Sequence, residues 1–362
     1  MKKLIYISGG EYRYIPGVYK KIHNEIKALS MNGFDTKLIF VEENPKWKKA
    51  IPFSSSFRWK DVQVEPADCL YVRWEAVSFP FLRMLKRWKR ENPELTIVLE
   101  FGTYPYEDEL KKLSNIVTSG RDAFYRRFLK RYVDIVTLCT SFSEVFGIPA
   151  IEMVNCITVD DVKVPERTEY RPDNTINILS VASIEYYYGY DRLIRGIANY
   201  YQSDRASRDV QLHLVGDGTI VPELKELCKK VHVEDHVTFY GYRTGKDLDD
   251  IYELADIGID VLGGHRKGDI WFGTLKSREY MCKGLPFVTE YPLPENIAPI
   301  YPYILKVPDD ESDIDVQKLV DFFDEIKKES RQETISKMRG FAYSYCDISV
   351  AMNPIIEFLE SE

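Results

Sequence analysis

The stretch 261–288, VLGGHRKGDIWFGTLKSREYMCKGLPFV, is the densest run of chemically useful side chains in the sequence. It leaves a strand, crosses Gly263 and Gly264, and presents His265, Arg266 and Lys267. A second glycine-bearing loop then enters a short helix that starts near Thr274 and Leu275 and carries Lys276, Arg278 and Glu279. A helix N-terminus exposes amides that lack intrahelical acceptors and carries a partial positive charge, so it favours an anion. Five cations or near-cations on one loop system (His265, Arg266, Lys267, Lys276, Arg278) are what a diphosphate needs. Glu279 is badly placed for phosphate and well placed to accept hydrogen bonds from ribose hydroxyls. It also fits an i,i+4 pair with Lys283, worth only a few tenths of a kcal/mol.

Two earlier loops have the right composition for a ligand. The segment 8–21, SGGEYRYIPGVYKK, passes from a first strand into a helix through Gly17. Glycines there let backbone amides approach a phosphate or a sugar, and a plain strand–helix connection fits equally well. It is not GxGxxG, so no dinucleotide fingerprint is present. The segment 99–110, LEFGTYPYEDEL, sets Glu100 at a strand end, followed by Tyr104 and Tyr106. This carboxylate and these hydroxyls suit a carbohydrate-like ligand, against the alternative of an ordinary turn at Pro105. His232 and His236 have no cysteine or HExxH context, and no metal site is expected.

These residues need strands and helices to hold them. Apolar runs at 3–8, 35–41, 69–74, 96–101 and 134–140 read as strands, with helical patterns at 17–33, 79–91 and 120–132 between them. The pattern restarts after 163–175, KVPERTEYRPDNT, which is polar and has two prolines. Strands follow at 176–183, 210–215, 237–242, 257–262 and 286–290, with helices at 190–202, 221–232 and 245–256 and late helices near 315–339 and 349–361. Alternation of this kind predicts an α/β fold with parallel sheets. The expected domains are 1–165, which takes the acceptor, and 166–340, which takes the nucleotide sugar, with 341–362 a helix crossing back to the first. In such sheets ligands sit beyond the carboxyl ends of the strands.

With 44% hydrophobic residues the chain can bury substantial cores, which excludes a disordered protein. The six cysteines are scattered without CxxC and read as reduced thiols of a cytoplasmic protein. The apolar run after the initial Met1-Lys2-Lys3 is too short for a signal peptide, and no run spans a bilayer. The net charge of −8 hides an asymmetry: 26 Lys+Arg against 21 Asp+Glu up to Lys163, then 23 against 36. The basic stretches 79–90 and 121–132 suit peripheral contact with anionic lipid on the inner face of the cytoplasmic membrane, or packing on their own sheet with a solvated basic face. Nucleic acid is not expected, because no recognition motif accompanies the charge.

The order VGDG, helix, VTFYGY, LDDIYELADIGIDVL, LKSREYMCKGLPFV resembles the nucleotide-binding half of retaining, GT-B glycosyltransferases of family 4 (group 1). The likeness extends to the junction MVNCITVDD and to the first helix, GVYKKIHNEIKALSMNG. It implies two Rossmann-like domains facing each other across a deep cleft. It implies a hexosyltransferase-type enzyme that takes a sugar from a nucleotide-diphosphate donor, UDP-linked, with retention, needing no cofactor and no metal. The acceptor would be a glycan or a lipid-linked acceptor in surface polysaccharide, glycolipid or cell-envelope synthesis. By position Glu279 would bind ribose, while Thr274, Leu275 and Lys276 meet the diphosphate and Tyr242 and Arg243 flank the base. Gly216 and Ser183 join the donor side, Arg73, Tyr104 and Tyr106 the acceptor side, and Glu100, Lys276 and Glu279 are the catalytic candidates.

The sequence departs from the family pattern in three ways. Ser183 and Tyr188 stand where an arginine and a lysine are usual, Trp271 where a partner glutamate is usual, with Asp269 off register, and EFGTY where a histidine is usual. The HRKG and LKxREY patterns resemble a subgroup of bacterial polysaccharide glycosyltransferases, in which 265–267, Lys276 and Arg278 would substitute for the missing cations. The departures leave a second expectation open: a catalytically inactive GT-B module that binds a partner glycosyltransferase or a glycan.

Overall fold

A strand that is apolar on both faces must be covered by helices on both sides, and the inner strands of this chain are of that kind. The computed structural model describes residues 1–45, 47–48, 51, 53–73, 76–104, 106, 116–204, 206–268 and 273–361. They form two units, 1–157 with 346–362, and 158–345.

In the first unit β1 (Lys2–Gly9), α1 (Pro16–Met31), β2 (Phe34–Val41), β3 (Cys69–Arg73), α2 (Phe79–Glu91), β4 (Thr96–Glu100), α3 (Ile116–Tyr125), β5 (Ile135–Leu138), β6 (Glu144–Val145) and β7 (Ile148–Glu152) build one sheet of order β2-β1-β3-β4-β5-β7-β6. Only the β6–β7 pair is antiparallel. That hairpin was not expected from the sequence. It turns at Phe146 and Gly147, both at positive φ (53° and 77°), as a two-residue hairpin loop requires.

The second unit runs β8 (Thr175–Val181), α4 (Tyr190–Gln202), β9 (Asp209–Val215), α5 (Val221–Val231), β10 (Val237–Gly241), α6 (Gly245–Leu254), β11 (Ile257–Ile259), α7 (Leu275–Lys283), β12 (Phe287–Thr289), β13 (Ile304–Lys306), α8 (Val316–Ile326) and α9 (Arg331–Tyr345). Its sheet is all parallel, in the order β10-β9-β8-β11-β12-β13. The chain then returns to the first unit as α10 (Ile348–Ala351) and α11 (Asn353–Ser361). Ile348, Ile355 and Leu359 join Leu4, Tyr6 and Ile22 in one core. The junctions fall at 157/158 and 345/346, not at 165/166 and 340/341. Ile157 is held in the first unit, where its amide donates to Cys346 O at 2.9 Å and its carbonyl accepts from Ile348 N at 3.1 Å.

Strand order reverses between β1 and β3 in the first sheet and between β8 and β11 in the second. Helices leave on opposite faces at such a point, which opens a crevice at the carboxyl ends of the two strands. The two switch points are the places to look for ligand chemistry. All six cysteines are free thiols. Among the described residues no helix is long and apolar enough to cross a membrane.

Candidate functional site

The site in the second unit is built on α7, and α7 is seated by glycines. A Cβ on Gly258 of β11 would lie 2.9 Å from the Tyr280 ring, so glycine lets that ring lie flat on the strand. The Tyr280 hydroxyl donates to Ile259 O at 3.0 Å. Gly284 (φ +65°) stops the helix: its own amide donates to Met281 O at 3.1 Å, and that of Leu285 to Tyr280 O at 2.9 Å. A Cβ there would also come within 2.3 Å of Ile335 Cα. At the other end Thr274 caps the helix, its Oγ1 accepting from Ser277 N at 3.1 Å and donating to the Asp260 carboxylate. Asp260, fully buried at the end of β11, also accepts from Thr289 Oγ1 at 3.2 Å. Its carboxyl is raised by burial against the opposing pull of Lys276.

This anchoring puts the α7 N-terminus at the β8–β11 switch point. The amides of Leu275 and Lys276 have no acceptor within their helix. The half-buried Lys276 side chain folds back so that Nζ donates to Asp260 O and lies 3.9 Å from the centre of the Tyr188 ring. Burial lowers its pKa to about 8, with Asp260 opposing. Glu279, half-buried, lies one turn further along the same face. It hydrogen-bonds Tyr252, whose hydroxyl is pushed well above its ordinary value by burial and by that carboxylate. Lys283 donates to Lys163 O at 3.0 Å and lies 4.1 Å from the Tyr252 ring centre, so the sequence-level pairing with Glu279 is not its main engagement.

The expected cluster of five cations is not what the fold assembles. Arg266 makes a fork-like pair with Asp191 (2.7 and 2.9 Å) and meets Glu311 at 2.8 and 2.6 Å. His265 lies between Glu290 and Glu311, at 3.0 Å from each, and Glu290 is also held by the buried Arg192 at 3.2 Å. Glu311 is held near 2, chiefly by its Arg266 hydrogen bonds. These charges tie the loop after β11 to its neighbours and are neutralised in doing so. Arg278 is 1% exposed and stacks on Tyr345 at 4.8 Å, a contact within the unit. Lys267 Nζ lies 5.5 Å from the Tyr187 ring centre. Asp269 and Trp271 lie outside the described residues.

Gly216 (φ +128°) is a packing requirement: a Cβ there would stand 1.8 Å from Ala182 O. Its amide donates to Gly241 O at 2.9 Å, which ties the loops after β9 and β10 together. Ser183 is exposed, and so are Tyr242 and Arg243 at the end of β10, where Arg243 donates to Tyr242 O at 2.9 Å.

At the β1–β3 switch point the first unit holds a different arrangement. Glu100 is 4% exposed and ion-paired with Arg73 and with Lys21, the latter at 2.5 Å. Lys21 also pairs with Glu25, and the Tyr6 hydroxyl donates to Glu25 at 2.6 Å and shares a 3.0 Å contact with Glu100. Burial pushes the Glu100 carboxyl up, but Arg73 and Lys21 outweigh it and hold it at about 2. Glu100 and Arg73, read from sequence as catalytic and acceptor-binding, are thus each other's partners in a buried network. Tyr106 is buried, its hydroxyl donating to Asp122 at 3.0 Å. Tyr104 is half-buried against Phe142, with ring centres 5.1 Å apart. Gly17 is an exposed first-turn residue of α1, after the Gly10–Tyr14 3-10 turn.

Reading the sequence missed Asp260, Tyr252, Asp191, Glu290 and Glu311. Asp260 and Glu290 had a signal: each is the carboxylate that ends an apolar strand (IGID and FVTE). Asp191 and Glu311 had none, lying 75 and 45 residues from the arginine they bind.

Residues 165–259 match the family of glycosyl transferases group 1. Among curated proteins, mannosylfructose-phosphate synthase of Agrobacterium fabrum strain C58 is 38% identical over 79 residues, which are 20% of this chain and 17% of that one. A glycosyltransferase from Rickettsia africae ESF-5 superposes with a TM-score of 0.67 at 13% identity, covering 99% of this chain and 98% of that one. Anabaena Alr3699/HepE in complex with UDP superposes with a TM-score of 0.63 at 12% identity over 100% of both. The chain therefore has the GT-B fold, built from two units with largely parallel sheets, and over residues 165–259 it is similar to the glycosyl transferases group 1.

Proposed function

We propose that this protein is a glycosyltransferase that takes a sugar from a UDP-linked donor, with retention of configuration, and passes it to a glycan or lipid-linked acceptor. The observation that carries this reading is the α7 N-terminus at the β8–β11 switch point, with Lys276 beside its amides and Glu279 one turn on. The diphosphate sits against the amides of Leu275 and Lys276 and the Thr274 cap. Glu279 accepts from the ribose hydroxyls, and Tyr242 and Arg243 flank the base. As the glycosidic bond breaks, negative charge gathers on the departing diphosphate, where oriented amides and an ammonium lower the barrier. A Lys276 poised at about 8 is made fully cationic by that anion, so its charge is strongest when the leaving group forms. The fold and the UDP complex of the Anabaena protein support the choice of donor. On the acceptor side Tyr104 remains the candidate.

Calorimetry with UDP, followed by a donor panel read out as UDP release, tests this. Lys276→Ala and Glu279→Ala each weaken UDP binding by about tenfold or more, a loss of about 1.4 kcal/mol. Wild-type affinity in both variants refutes the site. The exposed Ser183 and the ring of Tyr188, where the resemblance leads one to expect cations, favour the second reading: a catalytically inactive GT-B module that binds a partner glycosyltransferase or a glycan. No release of UDP from any donor and acceptor pair, whether or not UDP binds, selects it.

A further inference from the structure

The first unit carries an open groove of about 1250 Å³ along α2, walled on one side by Asn44, Lys48, Ile51 and residues of 53–60 and on the other by residues of 124–132. Eight lysine and arginine side chains line it, Lys48, Arg83, Lys86, Arg90 and Arg131 among them, and no carboxylate does among the described residues. Arg90 also reaches out to Glu91 at 2.8 Å. The apolar side of α2 offers the groove little exposed surface: Leu82 and Met84 touch it, but with Phe81, Leu85 and Trp88 they are buried in the unit's core. Bulky exposed groups come instead from Phe53 and Phe124 on the walls, from Phe79 at the start of α2, and from Trp47, the neighbour of the lining residue Lys48. Phe53 is 73% exposed, Trp47 65%, Phe124 51% and Phe79 43%. Several of these rings carry a cation at the face, as in Lys48 over Trp47 at 5.6 Å and Arg127 over Phe124 at 5.8 Å.

We propose that this groove docks the protein on an anionic lipid surface. Headgroup phosphates lie among Lys48, Arg83, Lys86 and Arg131, and the rings of Trp47, Phe53 and Phe124 enter the boundary between headgroups and acyl chains. Charge complementarity alone would also suit a soluble polyanion. A polyanion, however, leaves exposed phenylalanines in water, since their rings have no polar atom to offer it. A lipid surface covers the cations and the rings together. The anchor is therefore Trp47 and Phe53 with Phe124, while α2 supplies charge. The inference is independent of the nucleotide site in the other unit.

Sedimentation of the full chain with phosphatidylcholine vesicles, with and without about one-third phosphatidylglycerol, tests it. The protein pellets with the anionic vesicles, stays free with the neutral ones, and is released at high salt. Arg83→Glu with Lys86→Glu lowers vesicle binding by about tenfold or more, and Phe53→Ser with Phe124→Ser lowers it severalfold. All four side chains are exposed, so both variants keep wild-type melting and wild-type UDP affinity. The proposal is overturned by no binding to anionic vesicles, or by equal binding to neutral ones. It is also overturned if dextran sulfate binds as tightly as vesicles and the phenylalanine variants bind like wild type, which assigns the groove to a soluble polyanion.

Discussion

The two switch points hold similar charges and use them differently. In the first unit Lys21, Arg73, Glu25 and Glu100 close on one another, each nearly excluded from water. In the second, Lys276 lies on a backbone carbonyl and an aromatic face, and the nearest carboxylate, Asp260, is engaged by Thr274 and Thr289. A closed cluster has no affinity left for an outside ion. A cation held, among the described residues, by a carbonyl, a ring and an engaged acid, and pulled towards neutrality by burial, gains from an arriving anion. The number of charges at the strand ends is therefore a poor guide to ligands, and the protein counter-ion of each is a good one.

The sharpest way to break this comparison is Glu100→Gln. It leaves Lys21 and Arg73 buried with one acid between them and costs about 3–5 kcal/mol in chemical unfolding, the range for orphaning a buried charge. UDP affinity of the folded protein stays within about twofold, since the change leaves the other unit's site intact. The pH dependence carries the same signature. Glu100 has its carboxyl near 2 in the folded state, against an ordinary 4.5. Its stabilisation is present above pH 4.5 and disappears as pH falls from 4.5 towards 2. Glu25, raised by burial and by the Glu100 charge, runs the opposite way and blunts the effect in the wild type. The clean measurement is the stability gap between wild type and Glu100→Gln, which narrows as pH drops through this window. A gap that does not change with pH would show that the network does not depend on the charge.

Much of the scaffold was legible in the sequence, and the allocation of charge was not. YDRLIRGIANYYQ marks α4 at both ends because its apolar spacing is helical and Gly189 precedes it. The stretch 120–132 was read as one helix; α3 covers Ile116–Tyr125, and Arg126–Arg131 tightens into a 3-10 turn. The late helix expected at 315–339 is two, α8 and α9. Lys276 and Glu279 stand out in the sequence because helix start, cation and carboxylate lie within six residues, and the fold sets them on one face of α7. That His265 and Arg266 are neutralised depends on Asp191, Glu290 and Glu311, which only the fold brings to them. Periodicity reports which face of a helix is buried. It carries no record of which distant acid meets which base.

On the open side of the comparison, Lys276→Met keeps the volume and removes the charge. UDP binding falls by about tenfold to a hundredfold, or about 1.4–2.8 kcal/mol, with little loss of stability, because a partly desolvated ammonium leaves with it. Its pKa of about 8 lies below the ordinary 10.5, so the unfolded chain holds the extra proton between those values. Stability from this group is therefore poorest below pH 8 and is regained as pH rises from 8 to 10.5. Nucleotide binding takes up a proton in the same range, so wild-type affinity declines above pH 8 and that of Lys276→Met does not.

Arg266→Gln probes a cation that looks like Lys276 in the sequence and behaves like Arg73 in the fold. Breaking its pairs with Asp191 and Glu311 costs about 1–2 kcal/mol of stability, less than Glu100→Gln because Glu311 is 57% exposed and screened. UDP affinity changes by less than about threefold. A loss equal to that of Lys276→Met would return Arg266 to the phosphate site.

The smallest effect expected comes from Tyr188→Leu. The ring face stabilises the Lys276 ammonium at 3.9 Å, and leucine keeps the apolar contact without the quadrupole. The loss is about 0.5–1 kcal/mol of preference for the charged form. Lys276 then titrates below its wild-type value, and the alkaline decline in UDP affinity moves to lower pH by about half a unit. Affinity well below that limb is unchanged, because there the diphosphate still finds the lysine protonated. If the decline keeps its wild-type position, the ring serves only as packing, and burial and Asp260 alone set the Lys276 charge.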